Sequence, residues 1–145
     1  MTPMHYHYIV PGDDFSKAGR ASTDLKRVLT RLGLDADLMR RIAVAFYEAE
    51  INMIIHAGGG TADAEIGLDN IVMTMRDEGP GIPDIGLAMT EGYSTASDEW
   101  RELGFGAGMG LPNIKRNVDE LHVDSAPGRG TTVTMVVRFP PRGSA

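Results

Sequence analysis

The chain has 145 residues, close to the commonest size of a single domain and enough for one hydrophobic core. With 42% hydrophobic and 23% charged residues it has an ordinary globular composition, which argues against a disordered tail, a collagen-like rod and a coiled coil. A formal charge of -6, from 14 basic and 20 acidic side chains, argues against a general binder of nucleic-acid backbone, and no apolar run approaches the ~20 residues of a membrane span.

Zero Cys removes disulfides, thiolate metal sites and cysteine nucleophiles, and the four His do not stand at zinc spacings. The first ten residues carry neither a basic n-region nor a long apolar h-region, so the expectation is a cytoplasmic chain without a secretory signal. Most of the 18 Gly lie between Gly58 and Gly110, a density that points to backbone recruited for function.

The alternation HYHYIV at 5–10 predicts a strand ended by Pro11-Gly12, with His5 and His7 on its wet face. Asp14 can cap a helix reaching to about Arg31, with Leu25, Val28, Leu29 and Leu32 as apolar contacts and Gly33 as its stop. A second helix, capped by Asp35 and running to about Ala57, carries Leu38, Ile42, Phe46, Ala49, Met53 and Ala57 on its core stripe. Glu48 and Asn52 stack one turn apart on its flank, with His56 a turn further on, either packed on the core or turned toward a ligand. Gly58-Gly59-Gly60 reads as a helix stop.

Residues 61–68 and 71–76 predict a hairpin turned at Asp69-Asn70, the second strand delivering Asp77 at its end. Residues 83–103 lack a clean period and form a connection of the kind that serves as a lid, with Tyr93, Ser94 and Thr95 as contact residues and Trp100 as either an interface anchor or a lid residue. A helix over about 109–121 follows, with Lys115 and Arg116 read as helix-surface residues, then strands near 122–125 and 131–139 turned at Pro127-Gly128. One domain over residues 1–139 with a loose tail at 140–145 is expected.

Three segments need one explanation: Glu48-x-x-x-Asn52, DEGPGI at 77–82 and GFGAGMGL at 104–111. No GxGxxG register follows a strand, no Gly-Lys pair allows a Walker loop, and kinase HRD and DFG elements are missing. What remains is a backbone-lined phosphate site at a helix start. An Asp at a strand end followed by Gly-x-Gly offers an acceptor for an exocyclic amine such as that of adenine. Asn52 can give a neutral oxygen to magnesium, and Glu48 can accept a proton.

These segments resemble the N, G1 and G2 boxes of the ATPase superfamily that joins gyrase, Hsp90, histidine kinases and MutL, and Gly130-Thr131-Thr132 is similar to its last strand-borne element. GPGIPDI, AMTEGYST and GLPNIKR resemble the small stand-alone serine/threonine kinases of bacterial partner switching, the anti-sigma factor kinases and the stressosome switch kinase. Residues 95–103 extend the lid relative to the compact switch kinase. The resemblance implies a Bergerat-type ATP-binding fold, an α/β (α+β) two-layer sandwich with helices on one face of a mixed sheet.

It further implies ATP and Mg2+, with Glu48 as general base, Asn52 on magnesium and Asp77 on the adenine amine. Gly79, Gly81 and Ile82 would shape the adenine pocket, Gly106, Ala107, Gly108, Met109, Gly110 and Leu111 would line the phosphates, and Thr132 would reach adenine. The implied activity is phosphorylation of a Ser or Thr on a STAS-domain anti-sigma-factor antagonist, with a sigma factor or a PP2C-type phosphatase as further partners and a homodimer compatible with the family. Two other readings stay open: a nucleotide-gated binding module that sequesters or activates a sigma factor or phosphatase, and a detached sensor-kinase ATP domain.

Overall fold

Alternating apolar residues build five strands in the computed structural model, which describes residues 3–12, 17–79, 81 and 110–140. They are β1 (Met4–Pro11), β2 (Gly59–Ile66), β3 (Asn70–Asp77), β4 (Glu120–Ser125) and β5 (Thr131–Arg138), and the helices are α1 (Arg20–Arg31), α2 (Ala36–Ala57) and α3 (Gly110–Asn117). The sheet order is β1-β2-β3-β5-β4, and all four pairings are antiparallel. The expected two-layer α/β sandwich is present, but the described sheet is antiparallel rather than mixed. β4 and β5 form a hairpin, so β5 takes the place beside β3 and separates the two strands that run the same way.

One face of the sheet is apolar. Ala62, Ala64 and Ile66 of β2, Ile71, Met73 and Met75 of β3, and Met135 and Val137 of β5 are buried at every second position, as strand geometry requires. They join one core with Leu25 and Leu29 of α1, Ile42 and Phe46 of α2, and Ile114 of α3. Phe46 sits edge-on to Tyr8 of β1, with ring centroids 6.0 Å apart. On the opposite face of the edge strand β1, exposed His5 and His7 both bond Asp63 Oδ1 at 2.8 Å.

α2 has the expected bounds, and the Asp35 carboxylate caps it by accepting from the amides of Asp37 and Leu38. Its burial is broader than one stripe, taking in Ala45, Glu50, Ile51 and Ile54, because α2 is flanked by α1 and α3 as well as the sheet. Ala57, expected in the core, is half-buried at the helix end.

Other boundaries differ from the sequence expectation for identifiable reasons. α1 starts at Arg20, with Gly19 as N-cap, and Asp14 lies outside the described residues. The β2–β3 turn is closed by Gly67 N–H donating to the Asn70 carbonyl, so Leu68 is exposed rather than in the strand. Gly59 and Gly60 belong to β2, where their backbone pairs with Pro11 and Val10. α3 stops at Asn117, and Leu121 lies in β4 instead. There the Asp119 amide donates to the Val136 carbonyl and its carboxylate accepts from the Arg138 amide, which begins the strand pairing. The β4–β5 turn has Pro127 and Gly128 at its centre, with Gly128 at φ 81 and Arg129 N–H bonded to the Ala126 carbonyl, as a type II turn demands.

Candidate functional site

Glu48, Asn52 and His56 recur at four-residue intervals along one edge of α2, so a 22-residue helix presents them in a row. Each meets a different segment. Asn113 Nδ2 of α3 donates to Glu48 Oε1 at 3.1 Å. The first residue of α3, Gly110, lies against the Asn52 amide so closely that an added Cβ would stand 2.7 Å from Oδ1 and 2.9 Å from Cγ. His56 lies within electrostatic reach of Asp77 at the end of β3.

Asp77 is half-buried and held by backbone. Its Oδ1 accepts from the amides of Gly79 at 2.9 Å and Thr131 at 3.2 Å, and neither bond uses Oδ2. Gly79 packs on the last turn of α2, where an added Cβ would come within 2.6 Å of the Ala57 Cβ. Gly81, at φ 80, presses on the backbone of Ala126 and Pro127 in the β4–β5 turn. Gly79 therefore meets the end of the long helix and Gly81 the final hairpin.

Burial lowers the His56 imidazole below its ordinary value of 6.5, and the Asp77 charge opposes that in part. The ring is accordingly neutral at pH 7. Among the described residues no group of three or more His, Cys, Asp or Glu could hold a metal ion, and no helix is long and apolar enough to cross a membrane.

The structure thus brings together Glu48, Asn52, Asp77, Gly79, Gly81 and Gly110. Ile82, Gly106, Ala107, Gly108 and Met109 lie outside the described residues, as do residues 83–103 with Tyr93, Ser94, Thr95 and Trp100. Leu111 is 8% exposed and turns its side chain into the core, which leaves only its backbone at the helix start. Lys115 and Arg116 are exposed on α3, as helix-surface residues should be.

Thr132 requires a correction. In the β3–β5 register Thr131 is opposite Asp77 and Thr132 is opposite Arg76, and directly opposed residues share a face of the sheet. Thr131 is therefore the threonine on the face of Asp77, where its Oγ1 also bonds Ser125 Oγ at 2.8 Å. Thr132 faces the other side.

Sequence reasoning missed Asn113 as well. A signal was present: Gly110, Asn113 and Asn117 recur at the i, i+3, i+7 spacing of one helix face. That face meets Asn52, Glu48 and Arg41 of α2 in turn, the last through Arg41 Nε donating to the Asn117 carbonyl at 3.1 Å.

A carboxylate and an amide on one long helix thus both meet the first turn of α3, above an antiparallel sheet, in an α/β sandwich. Residues 14–137 match the histidine kinase-like ATPase domain, and the chain belongs to that family. It is 33% identical over 115 residues to the serine/threonine-protein kinase RsbT of Bacillus subtilis, an alignment covering 77% of this chain and 80% of that one. It is 43% identical over 100 residues to the anti-sigma F factor of Caldanaerobacter subterraneus subsp. tengcongensis, across 65% of this chain and 66% of the relative. The structure of the RsbU and RsbW domains of Rv1364c from Mycobacterium tuberculosis shares the fold, with a TM-score of 0.64 at 18% identity over 93% of this chain and 32% of that one. The mycobacterial sensor histidine kinase MprB shares it at a TM-score of 0.55, with 20% identity over 93% of this chain and 97% of that one.

Proposed function

We propose that the chain is a cytoplasmic, ATP-dependent serine/threonine protein kinase of the partner-switching type, whose substrate is a STAS-domain antagonist protein. The observation that carries this reading is the pairing of Glu48 and Asn52, one turn apart on α2, with Asn113 and Gly110 at the beginning of α3. It sets a proton acceptor beside an amide oxygen at the helix end where phosphates are favoured by backbone N–H groups and the helix dipole. The relationship to the kinase RsbT supports it independently.

Asp77 would accept from the adenine amine through Oδ2, because Oδ1 already takes two backbone amides. The adjacent threonine in this reading is Thr131. Gly106, Ala107, Gly108, Met109, Gly110 and Leu111 would offer backbone to the phosphates, with Gly79, Gly81 and Ile82 around the base. Asn52 fits magnesium in its chemistry, since a hard cation takes one neutral oxygen from the protein and the rest from phosphates and water. Bound Mg2+ would neutralise charge on the phosphate oxygens.

In the transfer, the substrate hydroxyl oxygen bonds to the γ-phosphorus, the bond from that phosphorus to the ADP oxygen breaks, and the hydroxyl proton passes to the Glu48 carboxylate. A positioned base contributes about 10²-fold to 10⁴-fold to such a step. A second reading, a nucleotide-gated module that binds a sigma factor, is favoured by the relatives named anti-sigma F factor. A PP2C-type phosphatase partner and a homodimer belong to the same family logic.

The two are separated by incubating the chain with γ-labelled ATP, Mg2+ and soluble extract of the source cells. An acid-stable phosphoprotein that appears with the wild type and not with Glu48→Ala supports the kinase. Retained ATP binding without any labelled protein supports the binding module, and an acid-labile label supports a phosphohistidine mechanism.

A further inference from the structure

The geometry points to Asn113 as the positioning residue of the Glu48 carboxylate, a role that rests on the kinase reading above. Glutamate has three side-chain torsions, so the half-buried Glu48 carboxylate on the flank of α2 keeps one orientation only where a fixed partner holds it. The single side-chain bond Glu48 receives among those described comes from Asn113 Nδ2, at 3.1 Å.

Asn113 is itself firmly placed. Its neighbours Pro112 and Ile114 are buried, and its carbonyl accepts from Asn117 Nδ2 at 2.8 Å. Asn117 is held in turn by Arg41 of α2. At the other end of α3, Gly110 rests on Asn52. The antiparallel run Asn52 with Gly110, Glu48 with Asn113 and Arg41 with Asn117 makes α2 and α3 one unit along the flank that holds the base. The helix that begins at the phosphate side therefore also aims the proton acceptor, and a shift of α3 moves both together.

An amide donor can orient a carboxylate oxygen without competing for the substrate proton, because its N–H is far too weak an acid to protonate a carboxylate. One Glu48 oxygen is thereby committed to Asn113, which leaves the other to face a hydroxyl.

The test compares wild type, Asn113→Leu, Glu48→Ala and the double variant, reading transfer from γ-labelled ATP to the phosphoprotein that the wild type labels in soluble extract. Asn113→Leu keeps the branching and the number of side-chain heavy atoms and removes the donor. The expected result is a fall of about 10-fold to 100-fold in kcat with ATP affinity unchanged, and no further loss when Glu48 is already alanine. In the ligand-free protein the Asn113 side-chain amide resonance should move on Glu48→Ala. A wild-type kcat in Asn113→Leu, or an equal fold-loss in both backgrounds, would overturn the role, as would an unmoved amide resonance. If the wild type labels no protein, the kinase reading fails first and the positioning role falls with it.

Discussion

Glu50 accepts hydrogen bonds from both the backbone amide and the hydroxyl of Ser22, 28 residues earlier in the chain. It also accepts from the amides of Gly19 and Ala21, so one buried carboxylate, 2% exposed, caps the first turn of α1 from another helix. The helix has no side-chain cap of its own, and its N-cap Gly19 is left-handed at φ 88. The negative charge also faces the positive end of the α1 dipole.

Removing that carboxylate should be costly. Glu50→Ala leaves several buried donors without a partner, each worth about 1–3 kcal/mol, and urea denaturation at pH 7 should show a loss of about 3 kcal/mol or more. A change within about 0.5 kcal/mol, the range of an ordinary surface substitution, would contradict the capping role.

Gly110 and Gly128 should respond differently to the same substitution. Gly110→Ala drives a methyl group into the Asn52 amide, so ATP affinity should fall together with stability. Gly128→Ala meets open space, and only its φ of 81 opposes the side chain. That substitution should cost about 1–2 kcal/mol and leave ATP affinity unchanged. Equilibrium binding of a fluorescent ATP analogue, beside thermal melts, checks both.

His56 should give the fold a pH dependence of known sign. Its folded value lies below the ordinary 6.5, so the unfolded chain takes up the proton first as pH falls. The contribution is fully present above about pH 6.5 and is lost as the solution is acidified below it. Burial pushes the Asp63 carboxyl up, but hydrogen bonds from His7 and His5 outweigh it and hold it below 3.8, so its contribution disappears only in stronger acid. Calorimetric melts between pH 7.5 and 5 should therefore slope less in His56→Gln than in wild type, with the decline below pH 4 retained. An identical slope in that variant would remove His56 from the account.

Local signals carried most of the framework. Asp35 and Gly58 bound α2 in sequence and in structure because a carboxylate N-cap and a left-handed glycine act within their own turns. The β2–β3 and β4–β5 hairpins were legible in the same way, from alternation and from Pro127-Gly128. What was not legible depended on partners distant in sequence. The start of α1 is set by Glu50, and the end of α3 by Arg41, Asp119 and the pairing to Val136. The choice between Thr131 and Thr132 needed the register against β3, since a one-residue slip exchanges the two faces. Glu48, Asn52, Asp77 and the glycines were visible as spaced motifs, whereas Asn113 became a site residue only when α3 was laid beside α2.

Glu48 as base and Asp77 as adenine acceptor are tested together by a paired measurement of ATP affinity and single-turnover phosphoryl transfer in Glu48→Gln and Asp77→Asn. Glu48→Gln keeps an acceptor for Asn113 but removes the basic carboxylate, and should bind ATP like the wild type while transfer falls by about 10²-fold or more. Asp77→Asn can keep the oxygen that holds Gly79 and Thr131 but presents a donor toward the amine, and should fold normally while losing ATP affinity by about 10²-fold. Undiminished transfer in Glu48→Gln, or undiminished ATP affinity in Asp77→Asn, would contradict the assignment of base and adenine acceptor on which the kinase reading stands.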